Sequence, residues 1–190
     1  MKKITILFLN VIFVNLLFSN SFKLHLLFTN NIHGAIHEVP ARFINPEFSP
    51  ILAGGAGAFT YASKIRKEAK LKEDFVMLTD AGNIFQGSQL GTYDGGSNII
   101  KWMNWMAYDA IVPGVRDFDQ GVNNLSKLAS EANFPFLASN LEGVDGIEDY
   151  KIINANGVKI GLIGLITPFI SEGLLPEYYE GVAVSDIMKT

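Results

Sequence analysis

FVMLTDAGNIFQG, residues 75–87, is the stretch on which the fold assignment turns. Phe75 to Leu78 is an apolar run of strand length, and DAGNIFQG at 80–87 follows at once, with Gly82 and Gly87 placed for tight turns. The same arrangement recurs on both sides. TNNIHG at 29–34 follows the apolar run Lys23 to Phe28, and GVRDFD at 114–119 follows the short strand expected over Asp109 to Val112. In open α/β sheets the loops at the carboxyl ends of the strands converge and gather ligands, so these three segments define the candidate site.

Working outward, the hydrophobic period alternates between strand and helix. Ala56 to Lys70 reads as a helix with Phe59, Ala62, Ile65 and Ala69 inward and Lys64, Lys67 and Lys70 outward. Ser97 is placed to cap a helix running through Met106, Val122 to Glu131 is a third helix, and Phe136 to Ala138 a further strand. The order β, α, β, α, β, α, β calls for a mostly parallel sheet covered by helices. Beyond it, Tyr150 to Asn154 and Val158 to Ile166 flank Asn156-Gly157, a dipeptide suited to a type I′ hairpin. Residues 36–53, with Pro40, Pro46 and Pro50, form the longest irregular stretch, and 181–190 begins like a helix.

The 190 residues carry 15 basic and 19 acidic side chains, a formal charge of −4. Such a balance lacks the clustered Lys and Arg of a nucleic-acid binder, so none is expected as partner. Cysteine is absent, which excludes disulfides, thiolate metal sites and a thiol nucleophile. Lys2 and Lys3 precede the apolar stretch Ile4 to Phe18, interrupted by Asn10 and Asn15, and Ser19 and Ser21 follow at signal-peptidase spacing. Residues 1–21 are therefore read as a Sec-type signal peptide and 22–190 as an exported domain, periplasmic or secreted. The run is shorter than the roughly 20 residues that cross a bilayer core, so no stable membrane span is expected after cleavage.

TNNIHG, DAGNIFQG and GVRDFD resemble, in order and setting, the TNDxHG, DAGDxxxG and GNHEFD loops of the 5'-nucleotidase family of calcineurin-like metallophosphoesterases. Frame segments Phe85-Gln86-Gly87, Tyr108-Asp109-Ala110, Phe118-Asp119, Phe134-Pro135-Phe136 and Gly157 to Gly161 extend the likeness from about Leu24 to Ile166. The resemblance implies an α/β fold, the amino-terminal half of an αββα sandwich: a βαβαβ mostly parallel sheet plus a hairpin. It implies a two-metal site and hydrolysis of nucleotide phosphate esters. By position it assigns Asn31 and His33 to the first metal, Asn83 to the bridge and Val115 to the second metal. Arg116 takes the place of the catalytic histidine and Asp119 that of the aspartate orienting it. The family has carboxylates at 31 and 83, and an amide there is a weak, uncharged ligand that cannot offset repulsion between two cations.

Divalent metal binding is therefore expected to be weak or absent, and hydrolysis impaired. Arg116 either marks a retained phosphate pocket or pairs with Asp119 or Asp117 to pin its loop. His25 lies within a strand and His37 in a loop, and neither is expected to ligate. Gly54, Gly55 and Gly57 open a helix and offer N–H groups to an anion, without a phosphate-loop lysine. Trp102, Met103, Trp105 and Met106 form a core or interface stripe. Three functional readings stand: a phosphoesterase domain with impaired catalysis, a nucleotide- or phosphate-binding or interaction module, and a truncated gene product. An uncovered sheet edge would favour self-association.

Overall fold

The computed structural model describes residues 21–189, so all of the expected signal peptide but Ser21 lies outside the described residues. β1 (Leu24–Thr29) pairs in parallel with β4 (Phe75–Asp80), in register from Leu24 opposite Phe75 to Thr29 opposite Asp80. β5 (Ala110–Ile111), β6 (Phe136–Leu137) and β8 (Ile147–Glu148) complete a five-stranded parallel sheet of order β1-β4-β5-β6-β8. The β, α, β alternation is thus realised, with β8 as an additional parallel strand. β9 (Tyr150–Ala155) and β10 (Val158–Ile163) form the hairpin, and Asn156 and Gly157 take φ of 51° and 92°, the two left-handed residues a type I′ turn needs.

Three helices fall close to their expected bounds. α1 (Gly54–Leu71) contacts β4 and buries Ala62 and Ala69; Phe59, expected inward, is exposed, and Ala58 packs toward the core instead. α2 (Gln89–Thr92) is a single turn capped by Ser88. α3 (Ser97–Met106) starts from left-handed Gly96, not from a Ser97 cap; Ser97 is the first helical residue and its Oγ is buried without a hydrogen-bond partner. α4 (Val122–Glu131) buries Leu125 and Leu128. Residues 36–53 hold a two-residue ladder of β2 (Val39–Pro40) and β3 (Ile51–Leu52). The helix expected at 181–190 does not form. β11 (Ala183–Val184) instead pairs with β7 (Leu141–Glu142), and a single 3-10 turn, Ile187–Lys189, follows.

The core includes Ile84, Phe85, Ile99, Met103, Phe118, Leu125 and Phe136, all fully buried. The Trp-Met stripe divides accordingly: Met103 and Met106 are core, Trp102 is half-buried with Nε1 donating to the Gly55 carbonyl, and Trp105 is exposed. On β1, Leu27 points into this core while Leu24, Leu26 and Phe28 alternate with it and stand exposed. Phe28 also lines a cavity of about 210 Å³ with Thr29, Asp80, Ile111, Leu137 and Ile163, between the sheet and the end of β10. β1 ends the strand order, so among the described residues its outer edge has no strand partner.

Phe85→Ala removes a fully buried ring and is expected to destabilise the domain by about 3–5 kcal/mol. Leu71→Ala, at an exposed helix end, should change stability by no more than about 0.5 kcal/mol. Denaturant unfolding of the two variants measures the contrast.

Candidate active site

The first two loops are laced by their backbones. Asn31, His33 and Gly34 N–H groups donate to the carbonyls of Gly82, Asn83 and Ile84 at 2.9, 2.9 and 2.8 Å. This places Asn31, His33 and Asn83 in left-handed conformations, with φ of 54°, 49° and 59°. Asparagine tolerates that region because its short amide bonds locally. Gly82 has φ 91°, and any side chain there would collide with the backbone of Gly114, so glycine is what lets the second and third loops touch.

Asp117 closes the arrangement. Its carboxylate is wholly buried and accepts the N–H groups of Asn83, Ile84 and Gly114 at 2.8, 2.7 and 2.8 Å. Burial pushes the carboxyl up to about 6, while these three donors and the nearby His33 pull the other way. Asp80 at the end of β4 is also buried, its Oδ1 accepting from Gly82 N at 2.6 Å and its Oδ2 from the Thr29 hydroxyl at 2.5 Å. Burial pushes it up to about 6 as well, opposed by the Thr29 and Gly82 hydrogen bonds. Thr29 Oγ1 in turn lies 2.8 Å from the Tyr108 hydroxyl, whose ionisation burial suppresses.

Asn31, Asn83, His33, Arg116 and Asp119 thus belong to one linked cluster of loops. The Asn83 amide donates to Asn31 Oδ1 at 2.7 Å and accepts from Arg116 N at 2.9 Å. His33 Nδ1 lies 2.7 Å from the Gln86 carbonyl, which can only accept. Nδ1 therefore carries a proton and donates to that carbonyl. The Arg116 guanidinium, half-exposed, pairs with Asp119 at 3.5 Å and donates to the Gly173 carbonyl at 3.4 Å. Of the two pairings expected for Arg116, Asp119 is the partner found. His25 sits near the opposite end of β1, 3.1 Å from Asp74, and His37 is exposed in the following loop; neither joins the cluster. Val115 lies in the 3-10 turn Val115–Phe118 and offers no donor atom.

A divalent cation pair does not fit this donor set. The amides at 31 and 83 are neutral and bonded to one another, and among the described residues no group of three or more His, Asp or Glu side chains is placed to hold a metal. From sequence Asp117 is expected only as a partner for Arg116, not as a buried anchor. Its signal was the acid three residues after Gly114, the spacing at which a carboxylate reaches back to cap a short turn.

The folded-state pKa of Asp80 lies above its unfolded value near 3.8. Its protonation therefore adds stability that is complete below about pH 4 and lost as pH rises through about 6. In Asp80→Asn the amide can accept from Gly82 and donate to Thr29, so this variant should be more stable than wild type by about 1–2 kcal/mol at pH 7.5. The advantage should shrink toward pH 4.5, as read by denaturation at the two pH values. Asp117→Asn retains one acceptor oxygen for three N–H donors and should lose about 2–3 kcal/mol at pH 7.5 and less at pH 4.5, where the wild-type carboxyl is itself protonated.

No protein-family model matches the chain. It is 34% identical over 158 residues to the snake venom 5'-nucleotidase of Crotalus adamanteus, an alignment covering 78% of this chain and 26% of that protein. The chain thus spans about a quarter of the length of that curated relative. The crystal structure of a 5'-nucleotidase precursor from Thermus thermophilus superposes with a TM-score of 0.72 at 24% identity, over 88% of this chain and 33% of that one. A calcineurin-like phosphoesterase from Bacillus subtilis superposes with a TM-score of 0.61 at 24% identity, over 86% and 54%. Both structures share the fold of the parallel sheet and its loops. The chain thus belongs to the 5'-nucleotidase family by sequence and has the fold of a calcineurin-like phosphoesterase.

Proposed function

We propose that this chain is an exported phosphoesterase domain of the 5'-nucleotidase type that retains recognition of a nucleotide or other phosphate ester and has lost most or all hydrolysis. The observation that carries the reading is the mutual hydrogen bond between Asn31 and Asn83, at the positions where the resemblance calls for carboxylates. Two-metal hydrolysis requires anionic donors to hold two cations about 3.5 to 4 Å apart, which activate water and neutralise the phosphoryl oxygens. Neutral amides engaged with each other supply no such charge. Arg116 stands where the resemblance calls for a histidine, and a guanidinium stays charged at neutral pH and cannot deliver a proton.

Binding is supported by what remains. The Arg116 guanidinium is half-exposed, and its planar fork matches phosphate oxygens. The names of the relatives point to nucleotides as the substrate class. An interaction module without hydrolysis is the second reading, favoured by the exposed Leu24, Leu26 and Phe28 on an edge strand, which suit self-association.

Purified protein is expected to release no phosphate from AMP above background with Mn²⁺, Co²⁺ or Zn²⁺. Turnover abolished by chelation and restored by metal would overturn the loss of hydrolysis. Calorimetric titration with AMP should give binding that weakens about tenfold in Arg116→Ala. Absence of both heat and thermal stabilisation at high AMP would remove the phosphate-ester reading.

A further inference from the structure

We propose that the side-chain amide of Asn83 holds the three loops together in place of a cation, and that an amide, not a carboxylate, is what this position requires. Asn83 reaches every loop of the cluster. Its backbone carbonyl accepts from His33 N and its side-chain Nδ2 donates to Asn31 Oδ1, both in the first loop. Its Oδ1 accepts from Arg116 N, and its own N–H donates to Asp117, both in the third. The orientation of the amide is dictated by its neighbours. A backbone N–H can only donate, so the oxygen must face Arg116, which leaves the NH₂ group facing Asn31.

The two asparagines are consequently not equivalent. In this clasp Asn31 is used only as an acceptor, so a carboxylate at 31 keeps the Asn83 bond and makes it charge-assisted. Asn83 is used as donor and acceptor at once. A carboxylate there could still accept from Arg116, but would turn an oxygen lone pair toward Asn31 Oδ1. It would also add negative charge beside buried Asp117, whose Oδ2 already bonds the Asn83 N–H. A cation between positions 31 and 83 relieves both penalties; an amide at 83 avoids them. The resemblance implies a metal pair at this place, and the chain fills it with hydrogen bonds.

The test needs no nucleotide, so its failure is separate from failure of the phosphate-ester reading. Wild type, Asn31→Asp, Asn83→Asp and Asn83→Ala are melted in EDTA and in Mn²⁺. Wild type is expected to melt within about 1 °C in the two conditions, and Asn31→Asp to melt in EDTA no lower than wild type. Asn83→Asp and Asn83→Ala should each lose about 5 °C in EDTA, and Mn²⁺ should restore part of the loss in Asn83→Asp alone. A wild-type melting temperature raised by Mn²⁺, or Asn83→Asp as stable as wild type in EDTA, overturns the proposal. If Asn83→Asp yields no folded protein, hydrogen exchange of the wild-type Arg116 amide in EDTA decides. Protection supports the clasp, and exchange as fast as in an open loop overturns it.

Discussion

A single buried carboxylate sets the terms for the loop cluster. Asp117 has no exposed surface, and in return for its desolvation it receives three backbone N–H donors from two loops. That exchange fixes the backbone of Asn83 and Ile84, whose carbonyls then receive His33 and Gly34 from the first loop. Asp80 does the same one turn earlier, joining the Gly82 backbone to Thr29 at the end of β1. The cluster is thus built mainly from main-chain groups anchored on two interior acids. Among the outward-facing side chains, the Asn83 amide adds a clasp between loops that these main-chain bonds have already brought together.

The sheet that carries these loops is finished on one side only. Helices α3 and α4 meet each other and bury Met103, Met106, Leu125 and Leu128 in the core. On the other side the β9–β10 hairpin contributes Leu162 and Ile163 near β4, β5 and β6, while Leu24, Leu26 and Phe28 of β1 remain open. Among the described residues this edge strand leaves leucine and phenylalanine side chains and unpaired backbone groups open. The chain spans about a quarter of one curated relative's length, and its loop frame lies at the carboxyl ends of the parallel strands.

Elements whose apolar period is strong were legible in the sequence. The long parallel pair β1 and β4, the helices α1, α3 and α4, and the Asn-Gly hairpin all appear where periodicity and turn chemistry put them. The departures come from competing groups, an adjacent residue at α3 and more distant parts of the chain elsewhere. Phe59 has the right spacing to face inward, yet α1 is seated through Gly55, Ala62 and Ala69, small residues that let it lie close to its neighbours. Ser97 is a good capping residue, but Gly96 already supplies the left-handed entry to α3. Residues 181–190 begin with a helical pattern and give way to pairing with β7, a partner some 40 positions away that no local signal announces.

For the site, sequence alone determined which chemical groups stand at each loop position: amides at 31 and 83, imidazole at 33, guanidinium at 116. It also determined that these loops end parallel strands, because strand length and glycine placement are local properties. Tertiary structure decided what those groups do with one another. That Asn31 bonds Asn83, that the Arg116 N–H seals the Asn83 amide, and that Asp117 is the buried anchor all depend on distances between segments 33 to 52 residues apart. Hydrogen bonds act over about 3 Å, so only the folded chain can select among the partners that the sequence allows.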